Sequence, residues 1–170
     1  MTEQTRRSFL GGLLAFGTSA VGALLAIPLA RFSLDPLWRS TSDVLWSDVG
    51  PAGDFQSMTT PLKMQVAIEQ RDGWRTILSE KPVYVIKSTG GAPRVLSAVC
   101  PHLGCSITWS DTKRQFVCPC HNGVFAADGT LLSGPPPRGM DDLEARIEGG
   151  KLQVRYQYFR QLVPTREVVA

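Results

Sequence analysis

Cysteine and histidine are almost absent from this chain. Its 170 residues include four cysteines and two histidines, and every one of them lies between residues 100 and 121. Charge is also sparse, because charged residues make up 19% of the sequence, the formal net charge is +3 and the basic residues are scattered. This pattern excludes the clustered basic surface of a nucleic-acid-binding protein. The hydrophobic content of 43% is typical of a globular protein.

One uncharged run stands near the N-terminus, from Phe9 to Ala30. A helix of that length is about 33 Å long, enough to cross a hydrocarbon core of roughly 30 Å. The run lacks the polar face of a helix on a soluble core, and its end lacks a clear cleavage site, although a cleaved secretory signal stays an alternative. We predict a cytoplasmic segment at residues 1–8 and a transmembrane anchor at residues 9–30.

The residues before this run resemble a twin-arginine export signal. Arg6 and Arg7 follow a threonine and precede a serine, a phenylalanine and a leucine. Basic residues also follow the run, so charge counting does not decide the topology and the export signal must. It predicts a single-pass protein of the bacterial cytoplasmic (inner) membrane, with the later residues on the periplasmic side.

Beyond the anchor, strand patterns dominate. Leu62, Met64, Val66 and Ile68 alternate with other residues, which is typical of a half-buried strand. Further strands are predicted at residues 83–87 and 94–99, turn or loop signals at 71–74 and 88–93, and a hairpin around residues 149–150. We therefore expect an all-β fold, a small antiparallel sandwich or barrel preceded by one transmembrane helix. The predicted organisation is a tether or hinge at 31–45, a β domain at 46–158 with an inserted subdomain at 98–139, and a C-terminal tail at 159–170.

The cysteines and histidines form two similar groups, "CPHLGC" at residues 100–105 and "CPCHNG" at residues 118–123. Three interpretations compete. A structural zinc site would use four of the six side chains. Two disulfides would leave the clustered histidines without a purpose. An iron–sulfur cluster with two cysteine and two histidine ligands would leave two cysteines to bond to each other.

The spacing closely resembles that of the Rieske iron–sulfur proteins, in particular the subunit of cytochrome bc-type quinol-oxidising complexes. The stretch "SGPPPR" at residues 133–138 resembles the proline loop that covers the cluster in that family. The resemblance is specific over residues 98–139 and weaker over residues 44–156. Ring-hydroxylating oxygenases and their ferredoxins share the ligand pattern but lack the additional cysteine pair.

The resemblance implies one 2Fe–2S cluster with Cys100 and Cys118 on the inner iron and His102 and His121 on the outer iron. It also implies a disulfide between the other two cysteines, Cys105 and Cys120, which fits an oxidising compartment. In the family, the histidine at the position of His121 hydrogen-bonds the quinol oxygen, and both exposed imidazoles can accept protons. The residues expected around the cluster are Leu103, Gly104, Gly123, Phe125, Gly134, Pro135, Pro136 and Pro137. We interpret Gly104 and Gly123 as turn glycines.

The chain departs from the high-potential members of the family after its last histidine. Gly123 and Phe125 stand where those members have a serine and a tyrosine whose hydroxyls donate to a bridging sulfide and a ligand sulfur. Such bonds favour the reduced cluster, so their absence predicts a lower potential. About 1 to 3 kcal/mol per bond corresponds to a drop on the order of 100 mV. A low-potential donor such as menaquinol is therefore expected.

The predicted function is that of an electron-transfer subunit, an enzyme only as part of a quinol:cytochrome c oxidoreductase. It would take an electron and a proton from quinol beside a cytochrome b-type subunit and pass the electron to a c-type cytochrome, within a dimeric complex. One alternative is the small Rieske subunit of an exported molybdenum oxidase such as arsenite oxidase, which cleavage of the N-terminal helix would favour. The other is a non-redox zinc-binding module, which would be colourless.

Overall fold

The computed structural model describes residues 6–38, 45–72, 75–88 and 91–169. The chain divides into two compact units, Met1–Thr41 and Ser42–Ala170. The N-terminal unit contains one helix, and the C-terminal unit contains the strands. Each unit is described by itself below.

Helix α1 runs from Arg6 to Trp38, and the most apolar 18-residue window within Arg6–Leu34 has a mean hydropathy of 2.0. Among the described residues it is the helix that is long and apolar enough to cross a membrane. The hydroxyl of Thr18 donates to the carbonyl oxygens of Leu14 and Ala15, at 2.9 and 3.1 Å. Since lipid offers no hydrogen-bond partners, this internal bonding lets a threonine stand in the apolar run.

The end of the helix differs from the prediction. The tether was placed at residues 31–45, but the helix continues through Trp38. Arg31 ends the uncharged run without ending the helix, because arginine and leucine are good helix formers. A break in hydrophobic patterning therefore marked the limit of the apolar stretch and not the limit of the secondary structure. The predicted tether at residues 39–44 lies outside the described residues.

The second unit is built from strands and one short 3-10 helix at Ala52–Phe55. The strands are β1 (Trp46–Pro51), β2 (Leu62–Asp72), β3 (Arg75–Ile86), β4 (Arg94–Ser97), β5 (Thr108–Ser110), β6 (Gln115–Cys118), β7 (Gly123–Phe125), β8 (Leu131–Ser133), β9 (Asp142–Glu148), β10 (Lys151–Arg155), β11 (Tyr158–Phe159) and β12 (Val168–Val169). They form a six-stranded sheet, a four-stranded sheet and a two-stranded ribbon. The expected all-β, antiparallel fold is confirmed.

The six-stranded sheet has the order β1-β10-β9-β4-β3-β2, and each neighbouring pair is antiparallel. Its two edges meet, because the Ser47 hydroxyl on β1 donates to the Ala67 carbonyl on β2 at 2.6 Å. The sheet is thus almost closed into a barrel. Val66, Val83 and Val154 are fully buried within it. We call this unit the base barrel.

The alternation in β2 and the hairpin at residues 149–150 are confirmed. Val66 and Ile68 are buried, and Leu152 on β10 pairs with Ile147 on β9 across the hairpin. Gly149 and Gly150 connect these strands with φ of 58° and 77°, a left-handed conformation that glycine adopts without strain. The turn predicted at residues 71–74 falls partly on residues 73–74, which lie outside the described residues.

The four-stranded sheet, β5-β6-β7-β8, is inserted between β4 and β9. It packs against the base barrel through a second buried cluster that contains Tyr84, Phe116 and Phe125. The Tyr84 hydroxyl donates to the Ile107 carbonyl at 3.3 Å and accepts from the Trp109 N–H at 3.2 Å. One side chain of the base barrel therefore holds the strand that follows the first cysteine group.

The described part of the predicted C-terminal tail, residues 159–169, contains strand pairing and bonds to the rest of the domain. Tyr158 and Phe159 on β11 pair with Val169 and Val168 on β12. Between these strands, the Arg160 N–H donates to the Glu167 carbonyl at 2.8 Å. We call residues 158–169 the C-terminal strap. Its pairing involves only two residues on each side, which is too short a pattern to be recognised from sequence.

Candidate metal centre

The first cysteine group forms a tight loop, residues 100–105, between β4 and β5. The Cys100 N–H donates to the Cys105 carbonyl at 2.8 Å, and the Gly104 N–H donates back to the Cys100 carbonyl at 3.0 Å. Gly104 has a φ of 77°, so its interpretation as a turn glycine is correct. These bonds bring the two ends of the loop together and present the residues between them, including His102 and Leu103, at its tip.

The second cysteine group is the turn between β6 and β7, residues 118–123. Cys118 ends β6 and pairs with Gly123, the first residue of β7. Asn122 adopts a φ of 54°, a left-handed conformation that asparagine tolerates better than most residues. The hairpin therefore places His121 at an exposed turn, while Cys118 stays on a buried strand.

A disulfide joins the two loops. It links Cys105 to Cys120, which is the pairing that the resemblance implies, across a sequence separation of 15. The Sγ atoms of these two residues and of Cys118 all lie within 4.8 Å of one another. Because two of the four thiols are used in this bond, the side chains left to bind a metal are two thiols and two imidazoles, from Cys100, Cys118, His102 and His121.

These four side chains separate into an inner and an outer pair. Cys100 and Cys118 are 1% and 3% exposed. His121 is exposed and His102 is half-buried, and their ring centroids lie 4.9 Å apart. Both sulfurs thus face the protein and both rings face the surface. This arrangement fits a binuclear cluster with thiolates on one iron and imidazoles on the other.

The protein environment alone does not favour the ionised form of the inner thiols. Burial raises the pKa of the Cys100 thiol to about 11, and contact with Cys118 adds to the rise. The backbone N–H groups of His102 and Leu103 donate to the Cys100 sulfur and act in the opposite direction. Because a metal binds the thiolate, loading of this site releases protons and couples affinity to pH.

The proline loop packs directly on the second cysteine group. A Cβ atom at Gly123 would lie 2.8 Å from Cγ of Pro136, which is buried. A Cβ at Gly134 would lie 2.8 Å from both the Asn122 carbonyl oxygen and the Gly123 Cα, and the φ of Gly134 is 105°. Both glycines are therefore required by close packing. The interpretation of Gly123 as a turn glycine was wrong, because it belongs to β7 and its φ is not positive.

The other predicted surroundings divide between core and surface. Phe125 is fully buried and pairs with Phe116, so its ring completes the core beneath the two loops. Leu103 is 52% exposed, and Pro135 is exposed as well. The sequence did not single out Leu132, which lies on β8 just before the proline loop and is 58% exposed. Apolar side chains are thus presented to the surface by the first cysteine loop, by β8 and by the proline loop.

Two further residues near the centre were missed. Arg138, directly after the prolines, forms a buried ion pair with Asp141, and both side chains are less than 10% exposed. Gln161 of the C-terminal strap approaches the first loop so closely that a Cβ at Gly104 would lie 2.8 Å from its Nε2 atom. An arginine next to a proline-rich stretch is a weak signal, and nothing in the sequence places residue 161 near residue 104.

Comparison with known proteins agrees with this donor set. The family described as "Rieske [2Fe-2S] domain" matches residues 52–147. The menaquinol:cytochrome c reductase iron-sulfur subunit of Geobacillus thermodenitrificans is 33% identical over 153 residues, which cover 87% of this chain and 89% of the relative. The cytochrome b6-f complex iron-sulfur subunit of Chlorobaculum thiosulfatiphilum is also 33% identical over 153 residues, 86% of this chain and 73% of the relative.

Among solved structures, the plasma membrane Rieske protein PetC3 from Synechocystis PCC 6803 is similar at a TM-score of 0.43 and 25% identity, over 64% of this chain and 98% of the other. The sequence comparisons, taken with two buried thiols beside two paired imidazoles, establish the class of the protein as an iron–sulfur protein. The chain belongs to the Rieske [2Fe-2S] family.

Proposed function

We propose that this protein is the Rieske electron-transfer subunit of a membrane quinol-oxidising complex of the cytochrome bc type. The observation that carries the proposal is the division of the donor set, with buried Cys100 and Cys118 on one side and His102 and His121 toward the surface. The names of the relatives support the complex, since they are subunits of a menaquinol:cytochrome c reductase and a cytochrome b6-f complex. The apolar helix supports attachment to a membrane.

Cys100, Cys118, His102 and His121 hold the cluster in this proposal. A cluster with two neutral imidazole ligands supplies one-electron chemistry at about −150 to +300 mV, well above all-cysteine clusters of the plant type. With the cluster bound, the exposed His121 ring would bind the quinol oxygen and accept its proton. Buried sulfur ligands keep water from the inner side, so proton exchange is confined to the histidine side.

Menaquinol is the proposed electron donor. Residue 123 is a glycine and residue 125 is a buried phenylalanine, so neither position has a side chain that can donate a hydrogen bond to the cluster or its ligands. Pro136 occupies the volume that a side chain at residue 123 would need. Missing donors favour the oxidised cluster and lower its potential. The Geobacillus relative, whose name specifies menaquinol, is consistent with this.

The proposed topology places the N-terminus in the cytoplasm and the cluster domain on the periplasmic side. The disulfide between Cys105 and Cys120 supports this orientation, because such bonds persist in oxidising compartments. The proposed partners are a cytochrome b-type subunit beside the quinol and a c-type cytochrome that receives the electron, within a dimeric complex. The exposed Leu103, next to His102 in the first loop, provides apolar surface for such a contact.

The test uses the full-length chain in detergent, with iron and sulfide incorporated. An EPR-detected redox titration should show a histidine-ligated 2Fe–2S signal with a midpoint in the lower part of the range from about −150 to +300 mV. A menaquinol analogue should then reduce the cluster, and His121→Ala should abolish the signal while Lys113→Ala leaves it unchanged. A midpoint near about +300 mV would remove the argument for menaquinol. Bound zinc without an EPR signal would refute the whole proposal.

A further inference from the structure

The C-terminal strap touches the first cysteine loop at a backbone hydrogen bond. The Leu162 N–H donates to the Pro101 carbonyl at 3.0 Å, next to Cys100 and His102. The Gln161 side chain lies against Gly104 on the same loop. The strap therefore covers the outer side of the loop that supplies one thiol and one imidazole to the proposed ligand set.

The same strap is tied to the proline loop by a single buried side chain. Arg138 donates from Nη1 to the Val163 carbonyl at 2.6 Å and from Nη2 to the Arg160 carbonyl at 2.9 Å. Its Nε and Nη2 atoms also donate to the two carboxylate oxygens of Asp141, at 2.8 and 2.9 Å. The Asp141 carbonyl in turn accepts the Ser97 N–H of β4 at 2.8 Å. One guanidinium thus connects the proline loop, the base barrel and the strap.

These contacts explain an unusual backbone conformation. Leu162 has a φ of 62°, a left-handed conformation that leucine rarely adopts. The carbonyls of residues 160 and 163 both point to Arg138, while the N–H of Leu162 between them points to Pro101. The strap must reverse its direction within these residues to meet both partners. A strained conformation persists only where surrounding contacts over-determine it, and here they join two loops of the cluster site.

We propose that Arg138 is a positioning residue for the cluster, which acts through the C-terminal strap to hold the first cysteine loop in place. The inference rests on the proposed function only in assigning Cys100 and His102 as ligands. Its consequence for the cluster follows from the loop backbone. The backbone N–H groups of His102 and Leu103 lie on the same loop, two and three residues after Cys100, and N–H groups close to a ligand sulfur favour the more negative, reduced cluster. A displaced loop moves these groups away from the sulfur and lowers the midpoint potential.

The matched test compares Arg138→Lys with Arg94→Lys in the full-length, cluster-loaded chain. Arg94 forms a similar bidentate ion pair with Asp142, at 2.7 and 2.8 Å from its Nη2 atom, and within the described residues its own hydrogen bonds go to neither the cysteine loops nor the strap. Its partner Asp142 is also approached by Arg166 of the strap, at 3.9 Å. Lysine keeps the charge and cannot reproduce the planar fork of donors. Both variants lose a bidentate pair of hydrogen bonds to a carboxylate, and only Arg138→Lys loses direct hydrogen bonds to carbonyls of the strap.

Hydrogen exchange is the deciding measurement. In Arg138→Lys, the amides of Cys100 and Gly104, which are bonded within the first loop, should exchange on the order of tenfold faster than in the parent. In Arg94→Lys they should be unchanged, as should amides of the hairpin at residues 149–150 in both variants. Equal loop exchange in Arg138→Lys and Arg94→Lys would refute the inference, whatever the change in thermal stability.

The midpoint potential gives the second measurement. Arg138→Lys should favour the oxidised cluster by about threefold at a fixed potential, a fall of about 28 mV at 59 mV per decade. Arg94→Lys should leave the potential unchanged, and an unchanged potential in Arg138→Lys would also refute the proposal.

If Arg138→Lys does not fold, Asp141→Asn replaces it, because an uncharged side chain of similar size weakens the hydrogen bonds and ion pair that fix the Arg138 guanidinium. If the parent chain carries no iron–sulfur cluster, the proposed function fails and loop exchange alone decides the role of Arg138.

Discussion

Pro136 leaves no room for a side chain at residue 123, and substitutions at these two residues test whether this packing keeps the potential of the centre low. Adding a serine at residue 123 is the direct way to supply a hydroxyl donor beside Cys118. The structure predicts that this single change fails, because its Cβ atom would lie 2.8 Å from Cγ and 3.3 Å from Cδ of Pro136. Overpacking of this kind costs about 1 to 3 kcal/mol. Gly123→Ser should therefore destabilise the domain or displace the proline loop.

The double variant Gly123→Ser with Pro136→Ala removes both clashing ring atoms. The new Cβ would then lie 3.5 Å from the Cβ of Cys118, which places a hydroxyl next to a proposed ligand sulfur. A bond worth about 1 to 2 kcal/mol more in the reduced state raises the potential by about 40 to 90 mV, since one electron at 59 mV corresponds to 1.36 kcal/mol. The midpoint should therefore rise in the double variant.

The assay is a redox titration of four chains: parent, each single variant and the double variant. Pro136→Ala alone is the control, because it opens space without adding a donor and should leave the midpoint within about 15 mV of the parent. In thermal unfolding of the same samples, Gly123→Ser should have a lower melting temperature than the parent. Adding Pro136→Ala to it should recover part of that loss. A double variant that binds the cluster and titrates at the parental potential would refute the reasoning.

Three further predictions concern stability. Replacing Cys105 and Cys120 by serine should lower the free energy of unfolding by about 3 kcal/mol, because the disulfide closes a loop of 15 residues. Denaturant titration of the metal-free parent and of the double serine variant measures this difference, and equal stability would contradict the prediction. Leu162→Gly should raise stability or leave it unchanged despite the lost side chain, because glycine adopts a φ of 62° without strain, and a marked fall in melting temperature would show that the conformation is not strained. Hydrogen bonding to Lys151 lowers the pKa of Asp48, so the ionised carboxylate stabilises the fold above its unfolded-state pKa, and this stabilisation is lost as the pH falls through the folded-state pKa. Asp48→Asn should therefore reduce the fall of melting temperature with decreasing pH in the acid range. An unchanged fall in the variant would contradict the prediction.

The parts of the site that could be predicted from sequence are those set by short spacings. Cys100 with His102, and Cys118 with His121, lie within single turns, so each pair is brought together by local backbone geometry. The alternating residues of β2 and the glycines of the β9–β10 hairpin are local signals in the same sense. Local geometry, together with the family resemblance, was enough for the fold class and the candidate ligands.

The contacts that surround the ligands could not be predicted in this way. Gly123 was interpreted as a turn residue, yet its requirement for glycine comes from Pro136, which is distant in sequence and close in space. The strap reaches the first loop at Pro101 from Leu162, and its only local signal is a two-residue pairing. Loop closure over such distances depends on the whole fold, so a pattern within a short window carries no information about it.

The ligands and their surroundings should affect the redox properties of the domain in different ways. The proposed ligands are specified locally, but the hydrogen bonds and packing that adjust the cluster are supplied by the proline loop and the strap. Both converge near Arg138, whose side chain is 9% exposed and has three partners, Asp141 and the carbonyls of Arg160 and Val163 in the strap. Substitutions in the ligands should therefore abolish the cluster, whereas Arg138→Lys, or Gly123→Ser combined with Pro136→Ala, should change its potential while the ligand set stays the same. Because rigid tertiary contacts define these positions, small displacements there alter donor distances to sulfur, and the energy of each such bond is measurable as a shift in midpoint potential.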